Sequence, residues 1–346
     1  VNFINIIIAI LIFGLLIFIH EGGHFLFARL FHVTIEEFAI GMGPKIISKK
    51  SKKSGIVYSL RALPIGGFVS MVGEDGESDD ENAFNKKPVW QRMIITAAGA
   101  LVNIIAGILV MTLLVAFSSG LLSTNVIAEF KEDAKNPSSA YGLQVGDEIV
   151  SVNGTKVRIA EEVYYEIMHD GVEPIDIVVK RNGELVTVKN VEFAQVSENG
   201  ALFGEIDFSV YGVKKSFGEV IRHSFYRSTL TIKMIWESLF DLVTGRYGLE
   251  AVSGPIGVTS ALANSIKSGI ANFIYLSVVI SMNLGVMNLL PFPALDGGRL
   301  LFQLIELITK KPVNRNVEAK IHFVGIVILM LLMAVIVFKD VITLFK

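Results

Sequence analysis

The sequence predicts a polytopic α-helical membrane protein of about four spans, interrupted by one water-soluble insert. The 346 residues are 52% hydrophobic with a mean hydropathy of +0.57, which is too apolar for an ordinary soluble protein. Apolar runs of at least about 20 residues, enough to cross a bilayer, alternate with polar segments. The predicted spans are residues 3–30, 93–122, 270–290 and 321–338.

Charge and cysteine content narrow the possible functions. The 31 basic and 33 acidic side chains leave a net charge of −2, which gives no reason to expect nucleic acid as a partner. The chain has no cysteine, so it cannot form disulfides or thiolate metal sites. Any metal must be held by histidine and carboxylate, a ligand set that suits a catalytic zinc better than a structural one.

The first apolar run resembles a signal peptide in length. It lacks a basic start and a small-residue cleavage site, and it continues past Ile19 without a break. We therefore expect a retained membrane span.

A short motif inside that span organises the rest of the chain. His20 and His24 are four residues apart, so a helix points both imidazoles to one side, and Glu21 lies beside them. Each ionisable group at the centre of a membrane helix costs roughly 2.5–3.5 kcal/mol or more, so such groups are by default functional. The motif predicts a zinc site with Glu21 as the group that moves a proton. Histidines hydrogen-bonded to neighbouring helices are the alternative.

The third span leads into a segment rich in proline and glycine, residues 288–299. This composition cannot continue a helix, and broken backbone at membrane depth occurs only where protein or a cavity surrounds it. Asp296 lies in this break and is the predicted third metal ligand. A local helix cap is the alternative for Asp296.

The distribution of basic residues sets the predicted orientation. The polar connections after the first and third spans carry most of the lysine and arginine that flanks the spans, so both are expected in the cytoplasm. The two termini and the insert are then extracytoplasmic. This topology brings His20, His24 and Asp296 to a similar depth near the cytoplasmic side.

Within the first connection, residues 56–69 predict two short strands around a proline–glycine turn. The residues alone do not decide between a cytoplasmic hairpin and a loop that dips back into the membrane.

The insert contains a second recognisable pattern. Residues 141–154 resemble the Gly-Leu, Gly-Asp, Ile and Asn-Gly signature of PDZ domains, and an amphipathic helix is expected over residues 160–169. PDZ domains add a peptide strand to an open sheet edge. The resemblance implies a peptide groove with Tyr141, Gly142 and Leu143 as candidate lining residues.

Residues 217–243 show apolar side chains at helical spacing. A helix at the outer membrane interface and a helix packed on the insert both fit this pattern. The sequence Ser-Gly-Pro-Ile-Gly at residues 253–257 predicts a tight turn. The expected parts are a first half of the membrane core (1–122), the PDZ-like insert (123–200), the interfacial helix and turn (201–268) and a second half of the core (269–346).

Taken together, the His-Glu-Gly-Gly-His motif, the residue 288–299 segment, the residue 253–257 turn and the single PDZ-like insert resemble the site-2 protease family of intramembrane zinc metalloproteases. The bacterial branch that performs regulated intramembrane proteolysis is the most similar. The resemblance implies one zinc ion on His20, His24 and Asp296, with Glu21 as the catalytic acid and base. It also implies a membrane-reentrant β element at residues 58–69, and location in the cell membrane in contact with lipid.

Substrate contacts are predicted less sharply. Family substrates are single-span membrane proteins such as trimmed anti-sigma factors, and in some members remnant signal peptides. Asn288 and Asn283 are candidates for oxyanion or substrate contacts, with helix–helix hydrogen bonding as the alternative. The candidate substrate-binding residues in the β element are Tyr58, Leu60, Ala62, Ile65, Gly66 and Gly67. His32, His169, His223 and His322 are left without a functional role.

Two other classes of function compete with a protease. A membrane-anchored PDZ adaptor with a structural or vestigial metal site would not need Glu21. A transporter also uses broken helices and buried carboxylates, but the chain shows no inverted repeat.

The β element yields the first testable prediction. A membrane helix must unwind before its peptide bonds can be cleaved, and a strand in this loop could hold the unwound segment by strand addition. Replacing Ala62 or Ile65 by proline is expected to lower cleavage of a reporter without loss of zinc. Unchanged cleavage would count against strand addition.

Overall fold

The computed structural model describes residues 3–74, 76–132, 134, 137–198, 201–246, 248 and 252–344. The helices are α1 (Phe3–Leu30), α2 (Val89–Phe117), α3 (Ala160–Asp170), α4 (Phe217–Thr244), α5 (Pro255–Ser265), α6 (Ile270–Asn288), α7 (Asp296–Thr309) and α8 (Arg315–Leu344). The strands are β1 (Ile35–Lys50), β2 (Val57–Met71), β3 (Leu122–Phe130), β4 (Glu148–Val152), β5 (Thr155–Lys156), β6 (Ile175–Arg181), β7 (Glu184–Val191), β8 (Gln195–Glu198), β9 (Ala201–Gly204) and β10 (Phe208–Val213). The chain divides into two compact units, residues 1–110 with 252–346, and residues 111–251.

Among the described residues, four helices are long and apolar enough to cross a membrane. They cover Ile4–Leu30, Val89–Phe117, Ile270–Asn288 and Arg315–Ile342. The prediction of about four spans is confirmed. The second span begins and ends a few residues earlier than predicted, because the chain turns at Gly120 and enters β3. The last span is longer than predicted at both ends.

The connection between α1 and α2 folds into a sheet whose pairing the sequence prediction got wrong. The two halves of β2 do not pair with each other across the proline–glycine turn. Both pair with the first half of β1, so that Ile40 is opposite Leu60 on one side and Gly67 on the other. The second half of β1 pairs with the other side of residues 57–61, at the opposite edge of the sheet. Residues 67–71 therefore form an edge of the sheet within the described part of the chain.

A partly buried ion cluster joins these strands. Glu37 on β1 accepts hydrogen bonds from Lys45 Nζ at 2.8 Å, Ser59 Oγ at 2.5 Å and Arg61 Nη2 at 2.8 Å. Burial by itself would raise the pKa of the Glu37 carboxyl, but the three donors lower it to about 2. The carboxylate is therefore charged at neutral pH and ties the two halves of β1 to β2.

The second unit is built on an antiparallel sheet with the order β10-β3-β4-β6-β7, and β5 pairs with β4 at the side. Its core is formed by alternate apolar side chains of these strands and one face of α3, including Ile127, Ile149, Ile167 and Ile177. Strand β10 pairs with β3, so the sheet of this unit extends past residue 200, where the insert was expected to end.

Helix α4 packs against α3 through polar contacts. Tyr165 donates to Glu237 at 2.7 Å, His169 lies 3.0 Å from Asp241, and Lys233 pairs with Glu166. The alternative of a helix packed on the insert is therefore realised. Another face of α4 exposes an apolar stripe, so a position at the membrane interface remains a prediction. The stripe consists of Phe217, Ile221, Phe225, Trp236, Phe240 and Val243.

The Ser-Gly-Pro-Ile-Gly sequence begins a helix that was not predicted. Pro255 is the first residue of α5, and the buried carboxylate of Asp340 on α8 accepts from the Gly254 and Gly257 amides. An anionic side chain at a helix N-terminus satisfies free N–H groups and opposes the helix dipole. Helix α5 packs in turn on α1, where Leu262 and Ala263 are fully buried.

Gly254 gives a test of this contact. A Cβ at Gly254 would lie 2.6 Å from Ile336 and 2.8 Å from Asp340, so Gly254→Ala must displace α5 from α8. We expect a loss of stability of about 1–3 kcal/mol, seen as a lower unfolding midpoint of the purified protein. Gly14→Ala is the matched control, because a Cβ there meets nothing within 4 Å. Equal midpoints for the two variants would contradict the packing described.

Candidate metal centre

Three side chains from two distant parts of the chain meet in the first unit. Helix α1 places His20 and His24 one turn apart, with their Nε2 atoms 3.3 Å from each other. The Asp296 Oδ2 atom lies 3.3 Å from the Nε2 atom of each histidine. The structure therefore brings together the two histidines and the aspartate that the sequence singled out.

The imidazoles fit here because α1 and α2 approach closely at two glycines. A Cβ at Gly23 would lie 2.6 Å from the Ala98 carbonyl oxygen, so only glycine allows the two backbones to touch. A Cβ at Gly99 on α2 would collide with the rings of His24 and His20. Both histidines thus lie directly against the α2 backbone. Gly22, by contrast, faces open space.

Asp296 is delivered by the break between α6 and α7. The chain leaves α6 at Asn288, turns through two prolines, and begins α7 at Asp296 itself. A Cβ on Gly297 or Gly298 would meet the carbonyls of the preceding turn, so both glycines allow the tight reversal. Leu295 occupies the N-cap, and the Asp296 side chain faces the histidines. The alternative of a local helix cap is therefore not what the structure contains.

His322 supports this break, although the sequence analysis left it without a role. Its Nδ1 atom accepts a 2.9 Å hydrogen bond from the Ala294 amide, and Ala294 has a left-handed backbone with φ of 78°. Gly325, one turn along α8, allows Pro293 to pack directly on the helix. A lone histidine in an apolar helix was the available signal, but nothing in the sequence paired it with Ala294.

The geometry of the three ligand atoms fits zinc. Tetrahedral zinc with nitrogen and oxygen ligands at about 2.0–2.1 Å separates those ligands by about 3.3 Å, which is the spacing found here. The His24 Nδ1 atom lies 2.8 Å from the Ile95 carbonyl oxygen and donates to it, so Nε2 is left with a lone pair. Within the described residues, the buried Asp296 Oδ2 atom has no hydrogen-bond partner. A cation would satisfy it.

Glu21 lies at the edge of the same cluster. Its carboxylate interacts electrostatically with His24, His20 and Asp296. A Cβ at Gly67 would lie 3.0 Å from Glu21 Cγ, so the edge segment of β2 passes directly over this side chain. The glycine thus brings an unpaired strand edge next to the three possible metal ligands.

The other candidate residues of the β element lie further inside the sheet or at its bend. Tyr58 and Leu60 are in the half of β2 that is paired on both sides, with exposed side chains. Ala62 is exposed at the bend, and the Ile65 side chain is outside the described residues. Gly66 has a φ of 80° and begins the edge segment with Gly67.

The asparagines of the spanning helices differ in their burial and in their hydrogen bonds. Asn288 donates back to the Leu284 carbonyl at 2.9 Å, as a helix-terminal side chain does, and Asn283 is exposed. Asn103 is fully buried, and its side chain has no partner among the described residues, while its carbonyl accepts from Ser281.

The candidate PDZ residues lie in the second unit. Tyr141 ends a short 3-10 helix on the surface, and Gly142 follows it with a left-handed φ of 111°. Leu143 is buried in the core of the insert, so its side chain is 2% exposed and packs beneath the sheet. Arg181 donates to the Gly142 carbonyl and to Asp147, which fixes this loop.

A spanning helix that carries two histidines and a glutamate, with an aspartate from a second helix completing the cluster, defines a membrane-bound metallopeptidase. Residues 8–332 match peptidase family M50. A Clostridium acetobutylicum protein named as a zinc metalloprotease is 37% identical over 99% of this chain and 98% of its own length. The Bacillus subtilis regulator of sigma-W protease RasP is 32% identical, covering 99% of this chain and all of its own. The Bacillus licheniformis zinc metalloprotease RasP is 31% identical with the same coverage.

The chain therefore belongs to peptidase family M50, the site-2 protease family. It is a multi-pass membrane zinc metalloprotease of the kind that performs regulated intramembrane proteolysis.

Gly99 provides a test of the site that does not depend on a substrate. Gly99→Ala should push the imidazoles away from α2 and weaken zinc retention by roughly 10–100-fold, as other changes that reorient metal ligands do. The measurement is zinc per chain after dialysis against a graded chelator. Gly22→Ala is the matched control on the other side of the motif, and it should retain zinc. Loss of zinc in both variants would show general destabilisation instead.

Proposed function

We propose that this protein is an intramembrane endopeptidase that hydrolyses peptide bonds within the transmembrane segments of single-span membrane proteins. The observation that carries the proposal is the position of the His20–His24–Asp296 cluster. Two of its members belong to an apolar helix long enough to cross a bilayer, and the third begins a helix that directly follows another such helix. A peptide reaching this cluster is expected to do so at membrane depth.

The chain's own residues divide the chemistry between them. His20, His24 and Asp296 would hold the zinc ion. Zinc supplies Lewis-acid chemistry, lowering the pKa of a water molecule and polarising the scissile carbonyl. Glu21 accepts the proton from the water and delivers it to the leaving nitrogen. His24 is oriented by its hydrogen bond to Ile95, which keeps the ring in the required tautomer.

The sheet edge next to Glu21 gives the substrate a place to unwind. A helical segment hides its carbonyls in its own hydrogen bonds, and pairing with an edge strand replaces part of those bonds. Residues 67–71 are paired only on the β1 side within the described chain, and Gly67 touches Glu21. This supports binding of an extended substrate along residues 67–71, with Gly66 and Ala62 at its entrance.

The substrate class follows from the chemistry and from the relatives. One relative is named a regulator of sigma-W protease, which supports an anti-sigma-factor-like protein with a single span as a substrate. Remnant signal peptides share the same short apolar helix and are a second source of substrate. In this proposal the β element is reentrant, and the cluster lies near the cytoplasmic side. The termini and the insert are extracytoplasmic, as the basic connections favour.

The insert is proposed to be a PDZ domain that binds or screens peptides. Its antiparallel sheet with one helix beside it supports this assignment. Residues 141–143 form a fixed loop in which Tyr141 and Gly142 are exposed and Leu143 is buried, so Tyr141 and Gly142 are the members of that group available to a ligand.

A membrane-anchored PDZ adaptor with a structural metal site is the second candidate function. The position of Glu21 argues against it, because a structural site has no use for a carboxylate that approaches the ligands without joining them.

The decisive test compares wild type and Glu21→Gln on a panel of single-span reporter proteins in vesicles. Removing the acid–base group should lower cleavage by roughly 10²–10⁴-fold, since general acid–base catalysis contributes that much. Zinc content should stay at the wild-type level. Equal cleavage by the two proteins would exclude the assigned role of Glu21, and cleavage of soluble peptides alone would exclude an intramembrane endopeptidase.

A further inference from the structure

We propose that the ion pair between Glu74 and Arg299 is a positioning device, which holds the substrate-binding strand edge in register with the metal ligand Asp296. The proposal rests on the proposed protease function. It assigns a role to two residues that do not belong to the metal cluster or to the acid–base machinery.

The two partners sit at the ends of the elements they would connect. Glu74 follows the edge segment of β2 by three residues, and its amide donates to the Met71 carbonyl at 3.2 Å. Arg299 is three residues after Asp296, so it lies one turn further along α7. Their ion pair therefore bridges the strand that passes over Glu21 and the helix that carries Asp296.

The turn that carries Glu74 is itself held in place. Val72 donates to Thr34 and accepts from Phe84, both through backbone groups. A Cβ at Gly73 would lie 2.6 Å from the Asn85 side chain, so the turn is tightly packed on the following segment. Because these contacts hold the turn, a change in the position of Glu74 is expected to move the strand as well.

Helix α7 itself does not favour a positive charge at the position of Arg299, one turn from its N-terminus. A cation near the N-terminus of a helix is disfavoured by the helix dipole, which prefers anions there. Glu74 supplies a negative charge next to the guanidinium, and its side chain is 17% exposed. Glu74 also belongs to the charged groups that surround Glu21. Arg299 therefore places a positive charge next to a carboxylate that lies near the catalytic group.

A second ion pair on the same helix serves as a matched control. Arg92 on α2 donates to Glu306 on α7 at 2.6 Å, and both side chains are mostly buried. Glu306 lies ten residues from Asp296, about 15 Å further along the helix. If breaking any ion pair on α7 were enough to impair the enzyme, Glu306→Gln would behave like Glu74→Gln.

The test measures kcat and KM on a single-span reporter for Glu74→Gln, Arg299→Gln, the charge exchange Glu74→Arg with Arg299→Glu, and Glu306→Gln. Misplacing reacting groups by about 1 Å can cost about 100-fold, so we expect kcat to fall about 10–100-fold in the first two variants. Zinc per chain should be unchanged in all four. The charge exchange should recover at least a third of the lost activity, and Glu306→Gln should retain wild-type kcat.

A second measurement does not require activity. Because the chain has no cysteine, spin labels at Ser70→Cys on the strand and Leu301→Cys on α7 report one distance without background. Glu74→Gln should broaden or lengthen that distance, and Glu306→Gln should not. An unchanged distance, loss of zinc in Glu74→Gln, or no recovery by the charge exchange would overturn the positioning role. If wild type cleaves no reporter, the proposed function fails while the distance measurement still decides this inference.

Discussion

The structure depends on the close approach of α1 and α2. Gly23 lets one backbone touch the other, and Gly99 leaves room for two imidazoles that lie against the neighbouring helix. In a bilayer, apolar side chains gain little by leaving lipid for protein, so close packing and polar contacts must hold the helices together. Small residues at this contact therefore serve both purposes, association of the helices and space for the two imidazoles.

Other segments of the first unit place polar and charged side chains near that contact and hold them there by hydrogen bonds. The break after α6 delivers a carboxylate to the two histidines, and His322 fixes the break from α8. Asp340 on α8 holds the start of α5 by accepting hydrogen bonds from two glycine amides. His322 and Asp340 each bond to a different segment of the chain, as is expected where no water can replace the partner.

The correction to the β element has a functional consequence. A hairpin closed by the proline–glycine turn would place residues 57–61 and 67–71 side by side and leave both with an outer neighbour missing. The observed pairing inserts Ile35–Ile40 between them and leaves residues 67–71 as an edge beside Glu21. Under the proposed strand addition, the unpaired edge covers residues 67–71 and is shorter than the residue 58–69 element expected from the sequence.

Local features of this protein could be read from its sequence because they depend on periodicity and composition. The spans follow from runs of apolar residues, and the pairing of His20 with His24 follows from the pitch of one helix. Contacts between distant segments could not be read in the same way. No single-sequence pattern shows which distant residues will be in contact. Examples are the contacts of Ala294 with His322, of α5 with Asp340 and of Glu74 with Arg299, and the strands that flank Ile35–Ile40. Tertiary packing decided them, because only the folded chain determines which buried polar group finds which partner.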